Sequence, residues 1–361
     1  MRSHLLLPLV LVCLLGGAAA QSLSFLADEA TVSAINNATT EPDLAKRIAL
    51  LDALQKSTPA AAAPFLDEVY ASAYYGAKDY PKAIEWGEKV LATHPDDAET
   101  LATLVNAAAQ LKDTTRLLGY AADVQAAAKM AGDTEYAKSN RDLAAKTLPF
   151  VEYSSYQGVQ AAADPEQQVA LAAKFFAALP ESQSAAAVGQ IAAQALGKLP
   201  LAAAQSSGEA LLAKSPDNVP LLLTLAGLDS DKGKGADLAR GIAHARHAIE
   251  LLKTQTAPAG AAADWDASRK ASMGYAYNTI GYTYMRQEQT GKAIEEFKTA
   301  RDLVAANPQM NAIVLYRLAY AYAVAKQYRA AKPVVGACIQ LHGVTEAQCK
   351  ELAGKIARAG G

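Results

Sequence analysis

The sequence predicts an all-α protein, and three observations carry that expectation. Its 361 residues are 51% hydrophobic, enough for a large buried interior, and the length alone corresponds to two domains or one extended array. Alanine, which has the highest helix propensity, is the commonest apolar residue, whereas valine and isoleucine, which favour strands, are sparse. Apolar residues also recur every three or four positions in runs separated by short polar turns, the spacing of helices with one buried face.

The N-terminal residues are set apart from the rest. "MRSHLLLPLVLVCLLGGAAAQS" has a basic start at Arg2, an apolar run from Leu5 to Leu15 and small residues at Ala18, Ala19 and Ala20, the pattern of a secretory signal peptide cut after Ala20. Cys13 raises a lipoprotein reading, but it follows Val12, where a lipidation site wants a small residue, and apolar residues continue after it. The expectation is a periplasmic or secreted protein whose mature chain does not insert in a membrane, because no later run reaches about 20 consecutive apolar residues. With 34 basic against 36 acidic side chains and no basic block, neither nucleic acid nor an anionic membrane surface is expected as partner. Residues 21–63 are read as an N-terminal helical segment.

The register of the remainder comes from "GYAYNTIGYTYMRQEQTGKAIEEFKTA", residues 274–300. Tyr277, Ile280, Gly281 and Tyr284 share one helical face, and after a polar turn Ala293, Phe297 and Ala300 share one face of a second helix. The next segment repeats this with Leu315, Leu318, Ala319 and Tyr322, then Tyr328, Ala331, Val335 and Cys338. Near the N-terminus, "YASAYYGAKDYPKAIEWGEKVLATHPDD" supplies Tyr70, Ala71 and Tyr74, then Tyr80 and Ala83, closed by Pro95, with Gly87 and Val90 in place of an aromatic and an alanine.

An aromatic, an aliphatic, a small residue and a tyrosine on one helix, followed by alanine, aromatic and alanine on the next, resembles the tetratricopeptide repeat (TPR). Weaker copies open at Leu101, Leu104 and Val105, at Val188, Ile191 and Ala192, and at Leu222, Leu225 and Ala226. The last of these crosses an insertion around "DSDKGKGAD" and resumes at Gly241, Ala245 and Ala248. The resemblance implies a right-handed superhelical solenoid of antiparallel helix hairpins. Repeats occupy 64–256 and are degenerate in the middle, where "TLPFVEYSSYQGVQ" interrupts the helices with a proline and turn residues. Residues 257–264 read as a loop or hinge, 265–340 as a C-terminal repeat pair and 341–361 as a helix capping the last apolar face.

Cys338 and Cys349 are the cysteines left after the leader. In an oxidising compartment they suggest one disulfide, two separate buried thiols being the alternative. They lie about equally far on either side of "HGV", read as a helix break with Gly343 as a left-handed cap.

Tyr74, Tyr284 and Tyr322 occupy inward-facing repeat positions and are expected in the core. The resemblance implies a concave groove lined by the other face of each first helix. In this register that face carries Asn278, Tyr282 and Arg286, then Tyr316 and Tyr320, with Arg317 beside them. Asparagine and arginine among tyrosines suit an extended peptide, since Asn bonds a backbone and Arg pairs a carboxylate. The same tyrosines also serve to pack neighbouring first helices. The lysine and asparagine clamp of members that grip chaperone tails is not reproduced.

"HARH" places His244 and His247 on one helix face with Glu250 three residues on, a spacing that can ligate zinc. No third convergent ligand is evident, so a solvated outer face is expected. "DSDKGKGADLAR" fails as a calcium loop, with Lys234 where glycine is required and Arg240 where an acid is, and lacks the Lys-Ser or Lys-Thr pair of a phosphate loop. It reads as a polar turn. No nucleophile elbow and no His-Glu-x-x-His helix occur. Neither cofactor nor metal nor catalytic residue is expected. The function read from the sequence is a non-enzymatic protein- or peptide-binding scaffold of the cell envelope. The alternatives are a structural subunit of a larger envelope assembly and, further off, a carbohydrate binder or enzyme.

Overall fold

A computed structural model of the chain describes residues 23–257 and 263–359. The residues read as a leader lie outside these, as do residues 258–262 of the loop read at 257–264. After a 3-10 turn at Leu23–Leu26 the helices are α1 (Glu29–Thr39), α2 (Leu44–Gln55), α3 (Ala63–Gly76), α4 (Tyr80–Leu91), α5 (Ala98–Gln110), α6 (Thr114–Ala128), α7 (Glu135–Ala161), α8 (Pro165–Ala178) and α9 (Ala185–Leu196). They continue as α10 (Leu201–Leu212), α11 (Val219–Lys232), α12 (Ala236–Thr254), α13 (Trp265–Arg286), α14 (Thr290–Val304), α15 (Pro308–Val324), α16 (Tyr328–Gln340) and α17 (Glu346–Ala359). No strand occurs among the described residues. The fold is an all-α solenoid of helix hairpins, in two compact units divided between Val188 and Gly189.

Local chemistry starts and stops the helices. Asp43, Asp79, Asp97, Asp113, Asp164 and Asn307 each stand at an N-cap, where the side-chain oxygen accepts the N–H three residues on. Four hairpins share one turn: Lys78, Lys112, Glu288 and Lys326 adopt positive φ, and the next residue returns its N–H to a carbonyl five residues back, as in Asp79 to Tyr74 and Gln327 to Tyr322. That is the Schellman closure of a first helix.

In the first unit, Leu23, Ile35, Leu51, Phe65, Leu66, Tyr70 and Val90 form one buried cluster, and the Tyr70 ring stacks on Trp86 with centroids 4.0 Å apart. Gly87, where the repeat wants a large residue, leaves room for Leu104: a β-carbon there would stand 2.6 Å from its Cδ2. In the second unit Gly281 admits the fully buried Phe297 ring, which a β-carbon would meet at 2.7 Å. Tyr74, Tyr284 and Tyr322 pack against these cores but remain partly exposed. Cys338 and Cys349, both fully buried, form a disulfide with Cα atoms 6.2 Å apart. It ties α16 to α17, whose Leu352 and Ile356 cover Leu315, Ala319 and Val335.

Three local expectations are corrected. "TLPFVEYSSYQGVQ" does not interrupt a helix, since α7 runs 27 residues with Pro149 inside it; buried Ala144, Thr147, Val151, Ser155 and Val159 keep one face packed through the missing N–H. Gly343 is not the left-handed residue after α16; His342 is, at φ 49°, while Gly343 lies close against Ala312. "DSDKGKGAD" is not wholly a turn, because α11 continues to Lys232 and buries Asp229 and Ser230.

Candidate functional site

Helices α11, α13 and α15 are the first helices of successive hairpins in the second unit, and a pocket of about 140 Å³ opens among them. Helix α13 contributes Tyr275, Asn278, Thr279 and Tyr282, one face at three- and four-residue spacing; α15 contributes Met310, Ile313, Val314 and Arg317 at the same spacing. The last turn of α11 closes the pocket with Ser230 and Asp231.

Of the residues singled out in the sequence, Asn278, Tyr282 and Arg317 meet in this pocket. The Arg317 guanidinium lies 4.4 Å from the centroid of the Tyr282 ring, a cation–π contact. Burial holds Arg317 below its ordinary pKa, with Asp231, Tyr282 and Tyr275 acting in the opposite sense. Among the described residues no carboxylate reaches it within the 4.0 Å of an ion pair. Asn278 is 6% exposed, and its Oδ1 is buried without a hydrogen-bond partner. Burial raises the pKa of Tyr275, whose hydroxyl rests on Gly227 where a β-carbon would come within 2.5 Å.

The other three stand outside the pocket. Arg286, a turn beyond Tyr282, donates from Nη1 to the Ser230 carbonyl at 2.6 Å and pins the end of α11. Tyr316 and Tyr320 stack on each other with centroids 6.4 Å apart; Tyr316 packs against the cluster of Leu315 and Val335, whereas Tyr320 is 47% exposed. Sequence reasoning missed Tyr275, Thr279, Met310 and the pocket role of Asp231. The helical spacing from Asn278 and Arg317 was the available signal for the first three. For Asp231 there was none, since its segment reads as a turn.

Of the "HARH" histidines, His247 is exposed, as a solvated outer face implies, whereas His244 is partly buried. His244 Nε2 lies 2.9 Å from Glu209 Oε1 and His247 Nε2 lies 2.9 Å from Asp217 Oδ1, so α12 is tied to α10 and to the loop after it. Ligand atoms of Glu209, Asp229 and His244 approach within 4.8 Å of one another, a set of suitable chemistry for a cation. A cation is already there: Arg240 donates from Nε at 2.9 Å and Nη2 at 2.7 Å to the two Asp229 oxygens, and from Nη2 to Asp237 at 2.9 Å. Gln205 adds a donor to Asp229 at 2.6 Å.

No protein-family profile matches the chain, and no curated relative does either. Solved structures similar to it include the APC/C hetero-tetramer Cut9–Hcn1, at 12% identity over 92% of this chain and 56% of that one with TM-score 0.41. The P58(IPK) TPR domain gives 14% identity over 92% and 97% with TM-score 0.27. The Naa15/Naa10 complex bound to HypK-THB gives 14% over 96% and 53% with TM-score 0.32. The chain thus spans little more than half of the first and third of these. Helix follows helix throughout the described residues, from α1 to α8 and from α10 to α17 each packed on the next, and this by itself makes the fold an all-α solenoid. Among the described residues no helix is long and apolar enough to cross a membrane.

Proposed function

We propose that the chain is a non-enzymatic scaffold of the cell envelope that binds a peptide or protein segment along the face formed by α11, α13 and α15. The observation that carries this is Arg317, a half-buried guanidinium over the Tyr282 ring in the pocket, with no ion-paired carboxylate among the described residues. A half-buried cation that has Asp231 nearby but makes no ion pair, beside a buried Asn and two tyrosines, fits a ligand that presents an acceptor and an apolar body together. Helices hold these side chains in place before binding, so little ordering is lost when a segment docks. The basic and apolar start of the chain and the buried disulfide support an exported location.

The test is selection of peptides from a random display library against the full chain, followed by anisotropy titrations with wild type, Tyr282→Ala and Arg317→Met. Selected peptides are expected to bind the two variants at least about tenfold more weakly, a loss of roughly 1.4 kcal/mol. Equal binding by all three proteins removes the pocket from the function. Intact-mass measurement of protein from the envelope fraction tests the location: a chain starting at Gln21 is expected, and an uncut chain in the cytosol refutes it.

A further inference from the structure

A second polar centre, unused by the proposed function, lies in the first unit. Glu68 of α3 is 7% exposed and Asp97, the N-cap of α5, is fully buried; Glu99, in the first turn of α5, faces both. Among the described residues no lysine or arginine pairs with any of the three. The remaining groups that face them are Tyr136 of α7, whose hydroxyl donates to Asp97 at 3.4 Å, and His94 ahead of α5, near Asp97. Asp67, beside Glu68 on α3, faces Lys89 instead.

The turn Leu23–Leu26 lies across this centre. Leu23 donates its N–H to Glu68 Oε2 at 3.0 Å, its side chain is fully buried with Leu51, Phe65 and Tyr70, and Phe25 meets the Tyr136 ring edge-on at 4.9 Å. Two polar atoms beside the acids have no hydrogen-bond partner although buried: Thr100 Oγ1 and Asn140 Nδ2. Their residues already adjoin the centre, Thr100 through its N–H on Asp97 and Asn140 through an acceptor for the Ala98 N–H.

We infer that Leu23–Leu26 is a strap over the Glu68, Asp97 and Glu99 carboxyls, closed while they retain a proton and opened by water entry when that proton is lost. With Glu68 and Asp97 buried, Glu99 half-buried and no lysine or arginine paired to them among the described residues, the three carboxyls resist ionising together, because each added charge meets both the desolvation penalty and its neighbours. Burial first, then Asp97, pushes Glu68 far above the ordinary carboxyl range, to about 10; burial likewise raises Asp97 and Glu99. The strap is light, four residues with one buried residue, against fourteen residues in α3 and thirteen in α5. It therefore yields before α3 and α5 separate. The folded-state value lies above the unfolded one, so the stabilisation is complete below about pH 4.3. It is lost progressively as pH rises toward the folded value.

The experiment is amide hydrogen exchange of the full chain at residues 23–26 between pH 6.5 and 9.5, corrected for the base-catalysed intrinsic rate, with Glu68→Gln as comparison. The substituted amide carries no charge at any pH in this range but keeps an acceptor for the Leu23 N–H. Wild type is expected to show an opening equilibrium that rises by at least about tenfold over the range, and the variant a flat one. Parallel rises in both proteins, or no rise in wild type, overturn the strap. If Glu68→Gln does not fold, the side-chain carboxyl carbon of Glu68 in wild type decides: no titration below pH 7 supports the inference, and a midpoint in the ordinary carboxyl range overturns it.

Discussion

The two units bury acids in opposite ways. In the second, Asp229 is fully buried but receives both arms of Arg240 and the amide of Gln205, so its charge is met inside the protein. In the first, Glu68 and Asp97 are as deeply placed, and their neighbours are another carboxyl, a tyrosine hydroxyl and a strap of backbone. The difference teaches that burial alone does not decide how a carboxyl is accommodated: one is met by a bidentate guanidinium, whereas the cluster without a cation has its pKa values raised by burial.

The comparison is broken most severely at Arg240. Arg240→Met leaves Asp229 buried against one amide, and a loss of about 3 kcal/mol is expected by urea denaturation, the low end for a severed buried pair because Arg240 is one-third exposed. Asp229→Asn added to Arg240→Met is expected to recover at least half of that loss. A double variant no more stable than the single would mean that the guanidinium acts through packing and not through charge. Next in size is Cys338→Ser with Cys349→Ser. The bond closes a separation of 11 residues, and removing it is expected to lower stability by about 2–3 kcal/mol while leaving any pH dependence of the first unit untouched.

The pH dependence sharpens the comparison. Because Glu68 binds its proton more tightly folded than unfolded, wild-type stability falls as pH rises through the neutral range, by at most about 1.4 kcal/mol per pH unit. Glu68→Gln is expected to flatten that slope in urea midpoints measured from pH 6 to 9, and Arg240→Met to leave it unchanged. The smallest effect is expected for Tyr136→Phe. It keeps the ring against Phe25 and removes a long 3.4 Å bond to Asp97, for about 0.5 kcal/mol. A loss several times larger would show the phenol to be a main support of the acid cluster.

Much of the helical layout was legible in the sequence because its causes are local. Ala83 and Ala293, or Leu318 and Leu225, fall on inward faces whatever lies opposite, and all are fully buried. Asp79, Asp97 and Asp113, which the repeat register left unread, cap the helices they precede through equally local bonds. "DSDKGKGAD" misleads for the same reason in reverse: three acids and two lysines look like solvated loop until Arg240, a turn into the next helix, supplies the counter-charge that lets Asp229 stay in α11. Pro149 misleads likewise, since the loss of one N–H is local while the packed face that tolerates it is not.

By itself, then, the sequence determined that the chain is helical, where most hairpins turn, and which faces are apolar, because propensity, caps and 3.6-residue periodicity act within a few residues. Only the tertiary structure decided which polar groups meet. Asn278 and Arg317 share a pocket with Asp231 while Tyr316 and Tyr320 stack outside it, and Glu68 finds Asp97 and Leu23 rather than a cation. Periodicity fixes the direction a side chain takes from its own helix, but the residue it faces is set by how far neighbouring helices slide and rotate as their cores close, and that is a property of the packed pair.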